Sequence, residues 1–260
     1  MAKRPTEMET SFMRLFSASK SMAAPGRRRP THAPLACCLA ALLAAGATGA
    51  QANCPEGPGP AITTARSRYA ADTLRFDVLR NGHRVGAHTV RFLDEAGALH
   101  VESSMELRLK LWFIEAYHFR YRSTETWCND RLSQLLAETD DNGTVTEVAA
   151  AWSATPAEPV PASPTKLVPE GVFPTTHWNR AALDGGAVLN TVSGQVNRVA
   201  VRQCRDPSLR LGRAAACREF TGDLQAQVWY DEAGRWHALA FDGRDGSRIE
   251  YRLAPHATDP

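Results

Sequence analysis

Hydrophobic and polar positions alternate with a period of two along much of the chain from Asp72 onward. Leu74, Phe76 and Val78 alternate with Arg75 and Asp77, the pattern of a half-buried strand. Asn81-Gly82 follows, a strong hairpin signal. It predicts a return strand from His83 to Leu93. The clearest strand carries Leu99, Val101, Met105, Leu107 and Leu109 on one face, and His100, Glu102, Ser104, Glu106, Arg108 and Lys110 on the other. A long strand with one wet face belongs to an antiparallel sheet. The apolar run Leu111-Trp112-Phe113-Ile114 breaks the alternation. It resumes with Tyr117, Phe119 and Tyr121 against His118, Arg120 and Arg122.

Further on, Glu125 to Thr144 and Gln227 to Ser247 each read as strand, tight turn, strand, tight turn, strand. Each has a Trp (Trp127, Trp229) two residues before an Asn or Asp turn. An internal duplication and the ordinary recurrence of Asn-Gly and Asp-Gly turns explain this equally well. Between them lies a connection with Pro156, Pro159, Pro161, Pro164, Pro169 and Pro174, read as a long loop over 154–175 because proline lacks the ladder donor. A short helix is predicted near Trp178–Leu189, ending at Asp184-Gly185-Gly186. The fold class that follows is all-β and antiparallel. About ten strands must form a strongly curved sheet, a half-barrel or barrel.

The first 52 residues read as a segment outside this fold. Arg27-Arg28-Arg29 precede a small-residue apolar stretch from Ala33 to Ala50 that is too short to span a bilayer. A basic region, a short apolar region and a small-x-small exit mark a secretory signal. Ala50-Gln51-Ala52 is the expected cleavage triplet, with Ala52 and Asn53 flanking the cut. Ala47-Thr48-Gly49-Ala50 offers an earlier one. Met13 and Met22 are alternative starts. Arg28-Arg29 also fits a twin-arginine signal, although Pro30-Thr31-His32 lacks the hydrophobic pair expected there. Lipidation at Cys54 is the other alternative, and Gln51, Ala52 and Asn53 match it poorly. Residues 53–70 form a Gly/Pro-rich lead-in, 71–254 one β domain, and 255–260 a tail.

Charge changes once this segment is set aside. The full chain is net +2, but seven of its 30 basic and two of its 28 acidic residues lie before Asn53. The remainder is net −3, which gives no electrostatic case for nucleic acid. It also has no second long apolar run, so no transmembrane anchor is expected after cleavage, and the expected location is periplasmic or secreted. Cys54, Cys128, Cys204 and Cys217 remain, an even count that favours disulfides in an exported chain. Cys204 and Cys217 are equidistant from the centre of the loop joining two predicted strands, Val196–Gln203 and Ala214–Phe220. A hairpin therefore sets them opposite each other. Cys54–Cys128 follows by elimination. Zinc is the competing reading, but no C-x2-C spacing supports it.

The run Trp229-Tyr230-Asp231, Gly234-Arg235-Trp236, Leu239, Phe241, Asp245-Gly246-Ser247, Ile249 and Tyr251 is accompanied by Glu125-x-Trp127 and Phe76-x-Val78 with Gly82 and Gly86. Together these resemble an uncharacterised bacterial exported β-rich family, domain of unknown function 6134, over about Asp72 to Leu253. The resemblance implies export and an all-β fold. It implies no activity, cofactor or catalytic residue.

No nucleophile elbow, H-E-x-x-H, phosphate loop or C-x-x-C occurs in the sequence, so no catalytic residue, metal or cofactor is assigned. His83 and His88, five apart, face opposite sides of a regular strand. His100, Glu102, Glu106 and Arg108 read as a solvated face or, alternatively, a polar pocket wall. His118, Arg120 and Arg122 read as a wet face or an anion site. The aromatic concentration reads as core filling or as a cavity wall. The candidate ligand-binding set is Trp112, Phe113, Tyr117, Phe119, Tyr121, Trp127 and Trp229. The functional expectation is a non-enzymatic module for an apolar or amphipathic small molecule in the cell envelope. The alternatives are a structural module that binds an envelope protein, and an enzyme using Glu102 with His100 or Glu125 with His118, the first pair being read as geometrically poor.

Overall fold

The computed structural model describes residues 68–69, 73–95, 98–111, 114–128, 131–152, 165–209, 215–243 and 245–255. The expected signal segment, Cys54, Trp112, Phe113 and most of the proline-rich loop lie outside these residues. The described chain forms one fourteen-stranded sheet. Its elements are β1 (Thr73–Arg80), β2 (His83–Glu95), β3 (Ala98–Leu111), β4 (Ile114–Cys128), β5 (Arg131–Asp141), β6 (Thr144–Ala151), β7 (Lys166–Leu167), β8 (Phe173–Pro174), a 3-10 turn (Arg180–Leu183), β9 (Ala187–Leu189), β10 (Val196–Gln203), β11 (Ala215–Gly222), β12 (Ala226–Asp231), β13 (Trp236–Asp242) and β14 (Arg248–Leu253).

The strand order is β7-β6-β5-β4-β3-β2-β1-β14-β13-β12-β11-β10-β9-β8. The all-β, strongly curved sheet expected from the alternation is present, antiparallel except at its two edges, where β6–β7 and β8–β9 pair parallel. β7, β8 and β9 are two or three residues long, too short to show an alternation, and they account for most of the excess over ten strands. The predicted helix is only the 3-10 turn over Arg180–Leu183, capped by the Asn179 side chain accepting from the Ala181 N–H at 3.1 Å. Ala187–Leu189 is unavailable to a helix because it pairs with Val196–Arg198 of β10.

The turn signals are realised in the backbone. Asn81 and Gly82 have φ of 51° and 80°, and Asn142 and Gly143 have 52° and 90°. Positive φ at both central residues is the hairpin turn whose twist matches the strands it joins. Gly86 serves a different purpose, since a Cβ there would sit 1.9 Å from the Glu106 carbonyl oxygen. β2 and β3 approach too closely at this point for any side chain.

The sheet curls around a core of Phe76, Val78, Val90, Val101, Phe119, Trp127, Val228, Trp236 and Tyr251, all buried. Among the described residues its two edges do not hydrogen-bond to each other. A second cluster packs Leu135 and Ala150 of β5 and β6 against Val168, Val172 and Leu189. The Trp152 indole N–H donates to the Val172 carbonyl at 2.6 Å, and Lys166 Nζ to the Gly194 carbonyl at 2.8 Å. The curl is thus shut by side chains and one irregular segment.

A third cluster lies on the outer face, where Trp229 packs over Ala238 and Ala240 beneath Leu209. The Cys204–Cys217 disulfide, with Cα atoms 5.5 Å apart, ties the Leu209 loop to that face. Gln227 adds two bonds, accepting from the Ser208 N–H at 2.9 Å and donating to the Asp206 carbonyl at 3.1 Å. Cys54, the expected partner of Cys128, lies outside the described residues. Trp127 packs in the interior cluster and Trp229 in the outer one, so the two similar stretches do not place their Trp residues alike. Among the described residues no helix is long and apolar enough to cross a membrane.

Candidate functional site

The site grows out of the inward face of β4. Period-two alternation sends Tyr117, Phe119, Tyr121, Ser123, Glu125 and Trp127 into the curl, and all six are buried. Ladder register extends this face across the sheet. Val90, Ser103, Ser123, Ala137 and Val148 form one transverse row. Its neighbour is His88, Met105, Tyr121 and Thr139. Small side chains in the middle of the first row leave space inside the curl. Thr175–His177 and Asn190–Val192 line the far side of the cavity that results, which measures about 380 Å³. Asp223, Gln225 and Asp242, all exposed, lie among its lining residues and mark where it meets solvent.

The cavity wall is mixed. Met105, Trp236, Leu239, Phe241 and Tyr251 supply apolar surface, while His88, Ser103, Tyr121, Thr176 and His177 supply polar atoms. His88 and His177 both pack on the Trp236 indole, with centroid distances of 5.5 and 5.6 Å. Burial lowers the His88 imidazole from its ordinary value to about 3, helped by the neighbouring His177, and lowers His177 to about 4. Both rings are therefore neutral near pH 7, and each offers one donor and one acceptor. Among the described residues, neither ring nitrogen of His88, nor Nδ1 of His177, nor the Ser103 hydroxyl has a hydrogen-bond partner. An unsatisfied buried polar group costs about 1–3 kcal/mol, and such groups are uncommon in folded proteins.

His177 also has an unusual backbone. Its φ is 58°, in the left-handed region that side chains with a Cβ rarely adopt. Neighbours hold it there. The Tyr230 hydroxyl donates to the His177 carbonyl at 2.9 Å, and the Tyr69 hydroxyl to the Trp178 carbonyl at 2.7 Å. Backbone strain of this kind persists where surrounding contacts over-determine it.

Glu125 lies beside the cavity, fully buried. Its Oε2 accepts from the indoles of Trp127 at 2.8 Å and Trp178 at 3.0 Å. Burial raises its carboxyl above the ordinary value, and bonds from Thr176, Trp127 and Trp178 only partly offset this.

The candidate ligand-binding set is divided among several places. Tyr121 lines the cavity. Tyr117 and Phe119 are buried further along the same face of β4. Trp127 borders a separate cleft, and Trp229 is covered by Leu209 on the outer face. Trp112 and Phe113 lie outside the described residues. His83 is exposed and His88 buried, as five-residue spacing requires.

Both carboxylate–histidine pairs have other partners. His100 and Glu102, two apart, do share the outer face, which corrects the sequence-based objection to that pair. There His100 faces the Thr126 hydroxyl at 3.4 Å, and Glu102 accepts from Arg91 at 3.3 Å. Glu125 and His118 are seven apart and fall on opposite faces. Arg120 pairs with Asp140 at 3.0 Å, and His118 lies 3.5 Å from the same carboxylate, so both side chains face a carboxylate of the protein itself. Glu106 likewise pairs with Arg108.

Sequence reasoning missed His88, Ser103, Ser123 and His177. For Ser103 and Ser123 the signal was present, since both are polar at core-facing parity. The inward turn of His177 depends on a segment without periodicity, so no such signal exists for it.

Fold and site together define a curled antiparallel half-barrel with an internal cavity of mixed polarity. The chain belongs to the family described as Domain of unknown function (DUF6134), whose model matches residues 76–254. No curated protein matches the sequence. Among solved structures, the chain is similar to a beta-barrel-like protein of domain of unknown function DUF1849 from Brucella abortus. Identity is 11% and the TM-score 0.37, with 70% of this chain and 94% of that one covered.

Proposed function

We propose that this protein is a non-enzymatic binding module of the cell envelope that holds a small amphipathic molecule inside its curled sheet. The observation that carries the reading is the cavity of about 380 Å³ with unpaired His88, His177 and Ser103 atoms in an otherwise aromatic wall. Its size falls within the range of small-molecule sites, and a few polar groups in an apolar wall are their usual composition. A ligand with a neutral hydrogen-bonding group would satisfy the imidazoles, while its apolar part would lie on Trp236, Phe241 and Tyr251. The envelope location is supported by the N-terminal sequence pattern and is compatible with the Cys204–Cys217 disulfide.

Native mass spectrometry of the protein purified from its own host tests this. The expected result is an added mass, lost on collisional activation, that belongs to an uncharged or weakly polar amphiphile. Ser103→Leu places a larger side chain on the cavity wall and is expected to remove that mass while keeping the far-ultraviolet spectrum. A clean apo mass that stays unchanged on incubation with envelope lipid extract would favour a protein-interaction module instead.

A further inference from the structure

A second concavity, sharing no lining residue with the first, opens beside the 3-10 turn and measures about 710 Å³. Four arginines border it. Arg68 precedes β1, Arg180 begins the 3-10 turn, Arg202 lies on β10 and Arg218 on β11. Among the described residues Asp184 is the one carboxylate in the wall. The residues after the expected cleavage point are net acidic, so four guanidiniums around one cleft are a local concentration.

Most of these charges are not committed elsewhere. Arg202 pairs with Glu219 at 2.8 Å. Arg180 stands over the Tyr230 ring, its guanidinium carbon 5.7 Å from the centroid, an arrangement that leaves its N–H groups available. Arg218 donates at 3.3 Å to the Cys217 carbonyl. Among the described residues no carboxylate lies within ion-pair distance of Arg68, Arg180 or Arg218. Aromatic side chains lie behind the inner wall. Trp127 and Trp178 are buried and meet edge-on with centroids 5.2 Å apart, and Phe173 stacks on Trp127 at 6.1 Å. Both indole N–H groups are occupied by Glu125, so these buried rings back the wall, and Phe173, Leu183 and Val201 supply its accessible apolar surface.

We propose that this cleft binds an organic phosphate, with the phosphate among Arg68, Arg180 and Arg218 and the apolar or aromatic body against the half-buried Phe173, Leu183 and Val201. Guanidinium forks match phosphate oxygens in paired hydrogen bonds. Several uncompensated guanidiniums suit a group with more than one negative charge better than a single carboxylate. The phosphate comes either from a soluble molecule or from a phospholipid headgroup.

Calorimetric titration of the full chain with phenyl phosphate and with inorganic phosphate, alongside sedimentation with phosphatidylcholine vesicles with and without phosphatidylglycerol, separates these sources. Phenyl phosphate is expected to bind more tightly than inorganic phosphate, to weaken with added salt and to quench tryptophan fluorescence. Sedimentation only with phosphatidylglycerol vesicles would assign the headgroup source. Arg68→Ala with Arg218→Ala is expected to weaken phosphate binding at least about tenfold, from the strength of charged hydrogen bonds. Arg218→Lys keeps the charge but loses the fork, and is expected to fall between. Failure of phenyl phosphate and of both vesicle types to bind wild type, or equal binding by the double variant, would overturn the proposal. The cavity reading would stand in either case, because its residues are separate.

Discussion

Two buried imidazoles and one buried carboxyl give this protein opposite responses to pH. His88 and His177 titrate near 6.5 in the unfolded chain and at about 3 and about 4 in the fold. Below pH 6.5 the unfolded state binds more protons, so stability falls as pH falls through that window and is flat above it. Urea titrations across pH should therefore show an acid limb that His88→Leu makes shallower. Glu125 acts in the other direction. Its folded carboxyl titrates above its unfolded value, so it costs stability as pH rises beyond about 4.5. Glu125→Gln keeps an oxygen for the two indoles and is expected to raise the neutral-pH urea midpoint relative to that at pH 4. An unchanged or lowered midpoint would mean that the indole bonds outweigh burial. Much of this was legible beforehand. Glu125, Ser123 and Ser103 stand at core-facing parity on strands that the alternation identifies, and a polar residue there is already an anomaly. What parity cannot supply is whether the polar group faces a void, because that depends on the segment lining the opposite side.

At the scale of elements, the hairpins were the most readable features because Asn-Gly and alternation act locally. β7, β8 and β9 were not readable, since two or three residues carry no period. The strongest single constraint is the contact between β2 and β3 at Gly86. A methyl group there meets the Glu106 carbonyl, and Gly86→Ala is expected to cost about 1–3 kcal/mol or more by forcing the strands apart. Gly82→Ala offends only the turn backbone and should cost less, and denaturant melts of the two variants would rank them. The Cys204–Cys217 loop is a second element-scale device. Closing a loop of thirteen residues' separation stabilises by about 3 kcal/mol in the chain-entropy view. Reduction should lower the urea midpoint accordingly and expose Trp229, seen as a red shift in its emission. A double Cys204→Ser, Cys217→Ser variant should show the same red shift without reductant.

At the scale of the molecule, the sheet stops short of a full barrel, and the segment from Val168 to Val172 covers the gap. Its two edge strands are only two residues long, and β7 covers β6 only at Ala150 and Ala151, so the outer side of β6 over Thr144–Ala149 has no strand partner among the described residues. The strand order has a further consequence. β1 and β14, farthest apart in sequence, are neighbours near the middle of the sheet, and the Ala254 N–H reaches the Arg75 carbonyl at 2.8 Å. A circular permutant that links the end of β14 to β1 by a short peptide and opens between β6 and β7 would read across the sheet almost strand by strand. Its mean contact separation would fall sharply, and low contact order speeds folding. Such a permutant should keep the wild-type spectrum yet refold faster, because no long-range central pairing remains to be found.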